Sequence, residues 1–163
     1  MLSKNSQPWV LILGIGNILM GDEGIGSHVA QYISRLRLPD GIKCLDGGTG
    51  GFHLLGELQS AAKVILVDAT ADGQKTGTII ETYPRFSSDY PRTLTAHDIG
   101  LKDLIDSFYL LGKTPDIKLY TVSIEIPSEP GMELSGEVQN LIPALAARIV
   151  NDARILLKST EST

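Results

Sequence analysis

The chain has 163 residues, 42% of them hydrophobic and 20% charged, with a formal net charge of −5 and a pI near 5.1. That length and composition suit a single globular domain over residues 1–163, and the acidic balance argues against a surface that tracks nucleic-acid phosphates. No stretch reaches membrane-span length, Met1–Pro8 carries no apolar signal core, and the single cysteine cannot close an internal disulfide, so a reducing cytoplasm is the expected compartment.

In chain order, Trp9–Leu13 predicts a buried strand and is followed by a glycine-rich turn. A helix is expected over Glu23–Leu36, with Ile25, Val29, Ile33 and Leu36 along one face. Lys43–Leu45 predicts a second strand holding Cys44 as a core thiol, and Phe52–Leu58 a short helix. The apolar run Val64–Val67 predicts an inner strand covered on both faces. Thr78–Thr82 alternates and suits a sheet edge. Asp98 is placed to cap a helix over Ile99–Leu111, which Gly112 and Pro115 stop. Leu119–Ile124 predicts the last strand. Ser135 is placed to cap a long helix reaching about Leu157, with Glu137 in its first turn and Pro143 expected to kink or divide it. Strands alternating with helices imply a three-layer α/β/α fold around a five-stranded, mostly parallel, twisted sheet. Ligands in such sheets bind beyond the carboxyl ends of the strands.

Four polar residues collect at that edge. Glu23 follows the first strand, Asp46 ends the second, Asp68 ends the third, and His97 lies in the loop before a helix. Each also has a plainer role. Glu23 can complement a helix dipole, Asp46 can hold an Asx turn in Gly47–Gly51, Asp68 can cap a turn, and His97 can be a solvated loop residue. If Glu23, Asp68 and His97 converge, two carboxylates and an imidazole make a site for a borderline divalent ion, nickel and zinc both being compatible. Asp46 would then orient a ligand or grip the substrate backbone. His28 is better placed as a partly buried helix residue, and His53 as a residue beside the cleft.

Other site classes fit less well. Gly14 and Gly16 begin a dinucleotide fingerprint, but Leu19 stands where the third glycine belongs, and Asp22 and Glu23 would repel a pyrophosphate. Asp46 lies where a ribose-binding acid would, which keeps a nucleotide-binding regulator as a rival. There is no P-loop, no His-Glu-x-x-His and no Gly-x-Ser-x-Gly run. A protease built on this chain would work through a metal or carboxylates.

Five segments, Gly14–Gly26, Leu45–Thr49, Val67–Ala69, His97–Leu101 and Pro127–Ser135, carry a resemblance to a known family in the same order. Over Val10 to about Leu157 the chain resembles the maturation endopeptidases of nickel-iron hydrogenases, which trim the C-terminus of the hydrogenase large subunit. The resemblance implies that Glu23, Asp68 and His97 are the metal-binding and catalytic trio, with Asp46 beside the cleft as a fourth catalytic-site residue. It implies a single cut in the large-subunit precursor, with nickel supplied by that precursor and used as the recognition signal. The acidic charge and the lack of a span-length apolar run leave no nucleic-acid or membrane partner expected, and nothing in the sequence demands more than a monomer. The different-class rival is a non-catalytic nickel-sensing or nickel-delivery module for the same precursor.

Overall fold

The structure is a computed structural model and describes residues 9–49, 54–85, 87–91, 99–112 and 116–162. Five strands, β1 (Val10–Gly14), β2 (Ile42–Asp46), β3 (Lys63–Thr70), β4 (Ile79–Thr82) and β5 (Asp116–Ser123), form one sheet in the order β2-β1-β3-β5-β4. The first four in that order run parallel, and β4 pairs antiparallel with β5 at the edge, as its alternating pattern predicts.

The helices are α1 (Ile25–Ser34), α2 (Leu55–Ser60), α3 (Ile99–Leu110) and α4 (Gly136–Glu161). One core holds Ile25, Val29 and Ile33 of α1 and Ile142, Leu145 and Ile149 of α4 against Val10, Ile12, Ile65 and Val67. On the opposite face, Leu58 of α2 and Ile105 and Phe108 of α3 pack against Leu11, Leu13, Val64 and Leu66. This is the expected three-layer α/β/α arrangement. Branched apolar residues fill β1 and the first half of β3 because both strands are covered on both faces. Among the described residues no helix is long and apolar enough to cross a membrane.

Three local expectations change. The helix expected from Glu23 begins at Ile25, and Glu23 sits instead in a 3-10 turn, Gly21–Gly24, that feeds it. Helix α4 continues through Pro143 rather than dividing there. Pro143 and Gln139 both face solvent, so the carbonyl that loses its helical donor can turn to water. Cys44 is half-buried rather than fully enclosed; its thiol donates to the Ala30 carbonyl at 3.4 Å, and burial pushes its pKa up to about 11. Asp98, the expected cap of α3, lies outside the described residues, as do Phe52, His53 and Pro115.

A charged cluster ties α4 to the β4 edge. Lys118 pairs with Glu81 at 2.8 Å and with Asp152, Arg148 pairs with Glu81, and the Tyr120 hydroxyl donates to Asp152. Hydrogen bonding from Lys118 is the main cause that holds the Glu81 carboxyl down to about 2, from an ordinary value of 4.5. A depressed carboxyl adds stability above its unfolded pKa and loses it as pH falls toward the folded one. Glu81→Gln is therefore expected to flatten the loss of stability between about pH 4.5 and about pH 2, measured as the urea midpoint across that range.

Candidate active site

The sheet order creates a switch point between β1 and β3, because the chain leaves β1 toward β2 on one side and returns to β3 on the other. At such a point the two outgoing loops part and leave a crevice beyond the strand ends. Pairing of β1 with β3 ends at Gly14 opposite Val67, and the Ile15 N–H then closes on the Val67 carbonyl at 2.9 Å. The next residue of β3 is Asp68.

Asp68 does not end its strand as expected. β3 runs two residues further, because β5 continues to pair with it after β1 has turned away: Asp68 lies opposite Thr121, and Thr70 opposite Ser123. Side chains alternate along a strand, so Asp68 and Thr70 continue the face of Val64 and Leu66, and Thr121 and Ser123 that of Ile117 and Leu119. A face that is apolar at its base thus turns polar at its carboxyl end. All four polar residues are buried, Asp68 to 1% exposure. Thr70, Thr121 and Ser123 escaped the sequence reading. Their signal is polar side chains at two-residue spacing where two paired apolar strands end.

Glu23 lies on the turn that follows β1 and packs against β3. Asn17 begins the turn by accepting the Leu19 N–H on its side-chain oxygen at 3.0 Å, and the Met20 N–H bonds back to the Asn17 carbonyl at 3.1 Å. The Ser27 hydroxyl, buried on α1, donates to the Gly16 carbonyl at 3.1 Å. The 3-10 turn so formed packs against β3 and holds Glu23 at 7% exposure, at the amino end of α1, where the dipole favours a negative charge. Two buried carboxylates therefore stand on adjoining elements at the β1–β3 switch point.

The glycines of this motif serve packing more than anion binding. A Cβ on Gly26 would lie inside contact distance of the Ile15 and Val67 carbonyls, and one on Gly14 would strike the Gly26 carbonyl. Their absence lets α1 lie directly on β1 and β3, with the Glu23 turn packed against β3.

Asp46 closes β2, on the far side of β1 from β3, and is exposed. One oxygen accepts the Gly48 N–H at 3.0 Å, the expected Asx turn, and the other accepts the Gln31 side-chain amide at 2.9 Å. Desolvation raises its pKa, but hydrogen bonds from Gln31, Ser27 and Gly48, with the His28 charge, outweigh that and keep the carboxyl below its usual value. Asp46 so fastens the glycine loop to α1, and the Gly16 N–H to Gly48 carbonyl bond at 2.7 Å ties that loop to the first turn. His28 is half-buried on α1, as expected. His97 lies outside the described residues. Among the described residues no group of three or more His, Cys, Asp or Glu is assembled to hold a metal ion. Glu23 and Asp68 present oxygen donors that suit a divalent ion, but would need at least one further donor to hold it.

A third loop completes the rim. The Gly21 N–H bonds to the Gly131 carbonyl at 2.7 Å, and the Gly131 N–H to the Leu19 carbonyl at 2.8 Å. Gly21 turns at φ +53°, a conformation that favours glycine. Ser135, expected to cap α4 with its own side chain, donates its N–H and hydroxyl to the two oxygens of Asp22, each at 2.7 Å. Asp22 therefore supplies a negative charge near the start of α4 from a distant part of the chain.

Residues 27–152 match the family model described as hydrogenase maturation protease. The chain is 34% identical over 145 residues to the hydrogenase 2 maturation protease of Escherichia coli K12, covering 83% of this chain and 85% of that protein. It is 36% identical over 111 residues to the hydrogenase expression/formation protein HupD of Bradyrhizobium diazoefficiens, covering 65% of this chain. That match spans 57% of HupD, and the match to HupM of Azotobacter chroococcum spans 54% of that relative, so the chain matches little more than half the length of either. Among solved structures, the hydrogenase maturating endopeptidase HybD from E. coli superposes with a TM-score of 0.81 at 29% identity, over 90% of this chain and 92% of that one. Sequence, fold and the order of the motifs agree: the chain belongs to the hydrogenase maturation protease family.

Proposed function

We propose that this chain is an endopeptidase that removes the C-terminal extension of a nickel-iron hydrogenase large-subunit precursor, using nickel already bound in that precursor as its recognition signal. The observation that carries the reading is the pair of buried carboxylates, Glu23 and Asp68, on adjoining elements at the β1–β3 switch point of a fold shared with a hydrogenase maturating endopeptidase. His97, two residues before α3, is proposed as the third donor.

The nickel belongs to the substrate. An incomplete oxygen-donor set holds a free ion weakly, yet it can complete the shell of an ion that a precursor already grips, so only a loaded precursor is held in place. Glu23 and Asp68 then position the precursor's segment in the crevice, and one carboxylate of the pair takes up the proton of the attacking water. Asp46 acts at one remove, holding the glycine loop in shape. The reading places the protein in the cytoplasm as a monomer.

The test is the mass of the nickel-loaded precursor, and of its nickel-free form, after incubation with this protein. Loss of a C-terminal peptide from the loaded form alone is the expected outcome. Binding of the loaded form without any mass change would replace the endopeptidase with a nickel-sensing or delivery module.

A further inference from the structure

The two loops that meet beside the crevice expose large apolar side chains that no fold requirement explains. Leu19 is 57% exposed, Ile126 67% and Met132 65%. They stand on two loops that are joined to each other. Leu19 and Met132 flank backbone joined by the Gly131 N–H to Leu19 carbonyl bond, and Ile126 precedes Pro127, whose ring lies against Gly21. The bonds between Gly21 and Gly131, and between Asp22 and Ser135, hold the two loops as one platform, so the patch is shaped before any partner arrives.

Charge selects what fits it. Residues 119–147 contain no Lys or Arg, and neither do residues 5–34, which include the other half of the platform. Glu125, Glu129 and Glu133 are all exposed among the apolar side chains. Lys63 begins β3 and Lys118 lies in β5 within its own ion pairs, while exposed Lys75 stands on the separate loop between β3 and β4. An apolar patch whose own two loops carry glutamates and no Lys or Arg complements a segment that carries Lys or Arg between apolar side chains, and attracts it over about a Debye length.

We propose that this platform is the docking surface for a Lys/Arg-bearing, apolar-studded segment of the large-subunit precursor beside the bond to be cut. The proposal rests on the endopeptidase reading for the identity of the partner. Apolar contacts with Leu19, Ile126 and Met132 hold the segment, and the glutamates set its approach and register while Glu23 and Asp68 lie next to it.

The test measures the Kd of the full chain for the intact nickel-loaded precursor by interferometry, with cleavage scored separately by mass. The double variant E129K/E133K is expected to raise Kd at least tenfold at low salt. D40K/E161K makes the same charge change at exposed positions in the loop before β2 and at the far end of α4, and is expected to shift Kd less than twofold. L19S/M132S is expected to raise Kd at least threefold with no dependence on salt. All these residues are surface-exposed, and melting curves establish that each variant is folded. A Kd unmoved by E129K/E133K, an equal shift in D40K/E161K, or no binding of the precursor by the wild-type chain overturns the docking surface. Charge-sensitive binding without cleavage supports the surface and removes the endopeptidase; cleavage with Kd unmoved by charge reversal does the reverse.

Discussion

Asp68→Asn is expected to reduce precursor cleavage by at least about 10²-fold, the scale on which loss of one group acting on transition-state charge is felt. The substitution keeps the shape of the side chain and the oxygen that accepts the Ala69 N–H at 2.7 Å. It removes one charge from a residue that is 1% exposed. Asn keeps the size of the side chain and its acceptor for the Ala69 N–H, so the variant should unfold at a similar urea concentration. That contrast is what gives the measurement its force: a structural residue loses stability when replaced, whereas a residue kept for its charge loses activity and largely keeps stability. Glu23→Gln should lose cleavage likewise, with a small loss of stability because the α1 dipole favours the charge it removes. Wild-type cleavage rates in Asp68→Asn would remove this carboxylate from the proposed mechanism.

Gly26→Ala is expected to destabilise the fold by about 3 kcal/mol, at the upper end of the usual cost of overpacking. Helix propensity alone predicts the opposite sign, a gain of about 1 kcal/mol for replacing a glycine inside a helix. Packing wins because the new methyl would meet the Ile15 and Val67 carbonyls, which are backbone atoms of the sheet and cannot swing aside. Helix α1 would have to lift from β1 and β3, carrying the Glu23 turn with it. Gly56→Ala is the matched control, since nothing lies within 4 Å of a Cβ there and the position is exposed on α2. It should stabilise by about 0.5–1 kcal/mol. Urea unfolding of the two variants separates the effects by sign, and a stabilised Gly26→Ala would show that α1 does not rest on the sheet as described.

Particular residues show what the chain's pattern reveals and where it stops. Val10–Leu13 and Val64–Val67 are legible as inner strands because cover on both faces demands unbroken apolar runs. The alternation of Thr78–Thr82 marks an edge for the converse reason. Strand order is not written in such local patterns. It arises from which helix faces bury against which sheet face, and it decides that the loops leaving β1 and β3 part around a crevice. Glu23 and Asp68 were legible as acids near strand ends, yet their settings were not. Glu23 lies in a 3-10 turn because Asn17 and Ser27 fold the backbone there, and Asp68 lies within its strand because β5 outlasts β1 as its neighbour. Asp22 read in the sequence as a charge hostile to phosphate and suited, with Glu23, to a cation or proton-transfer site; its bond to Ser135, 113 residues away, was not legible there. The unbroken course of α4 past Pro143 likewise depends on which side of the helix meets water.

That separation of 113 residues between Asp22 and Ser135 has a consequence for how the protein comes into being. At about 5–20 residues per second, translation needs roughly 6–23 s to go from one to the other. Through that interval the first glycine-rich turn has neither its bonds to Gly131 nor those to Ser135, so the crevice is one of the last parts of the molecule to take shape. A nascent or internally truncated chain thus presents its two acids without the platform beside them. The platform beside the acids arrives together with the last helix, as a late product of folding.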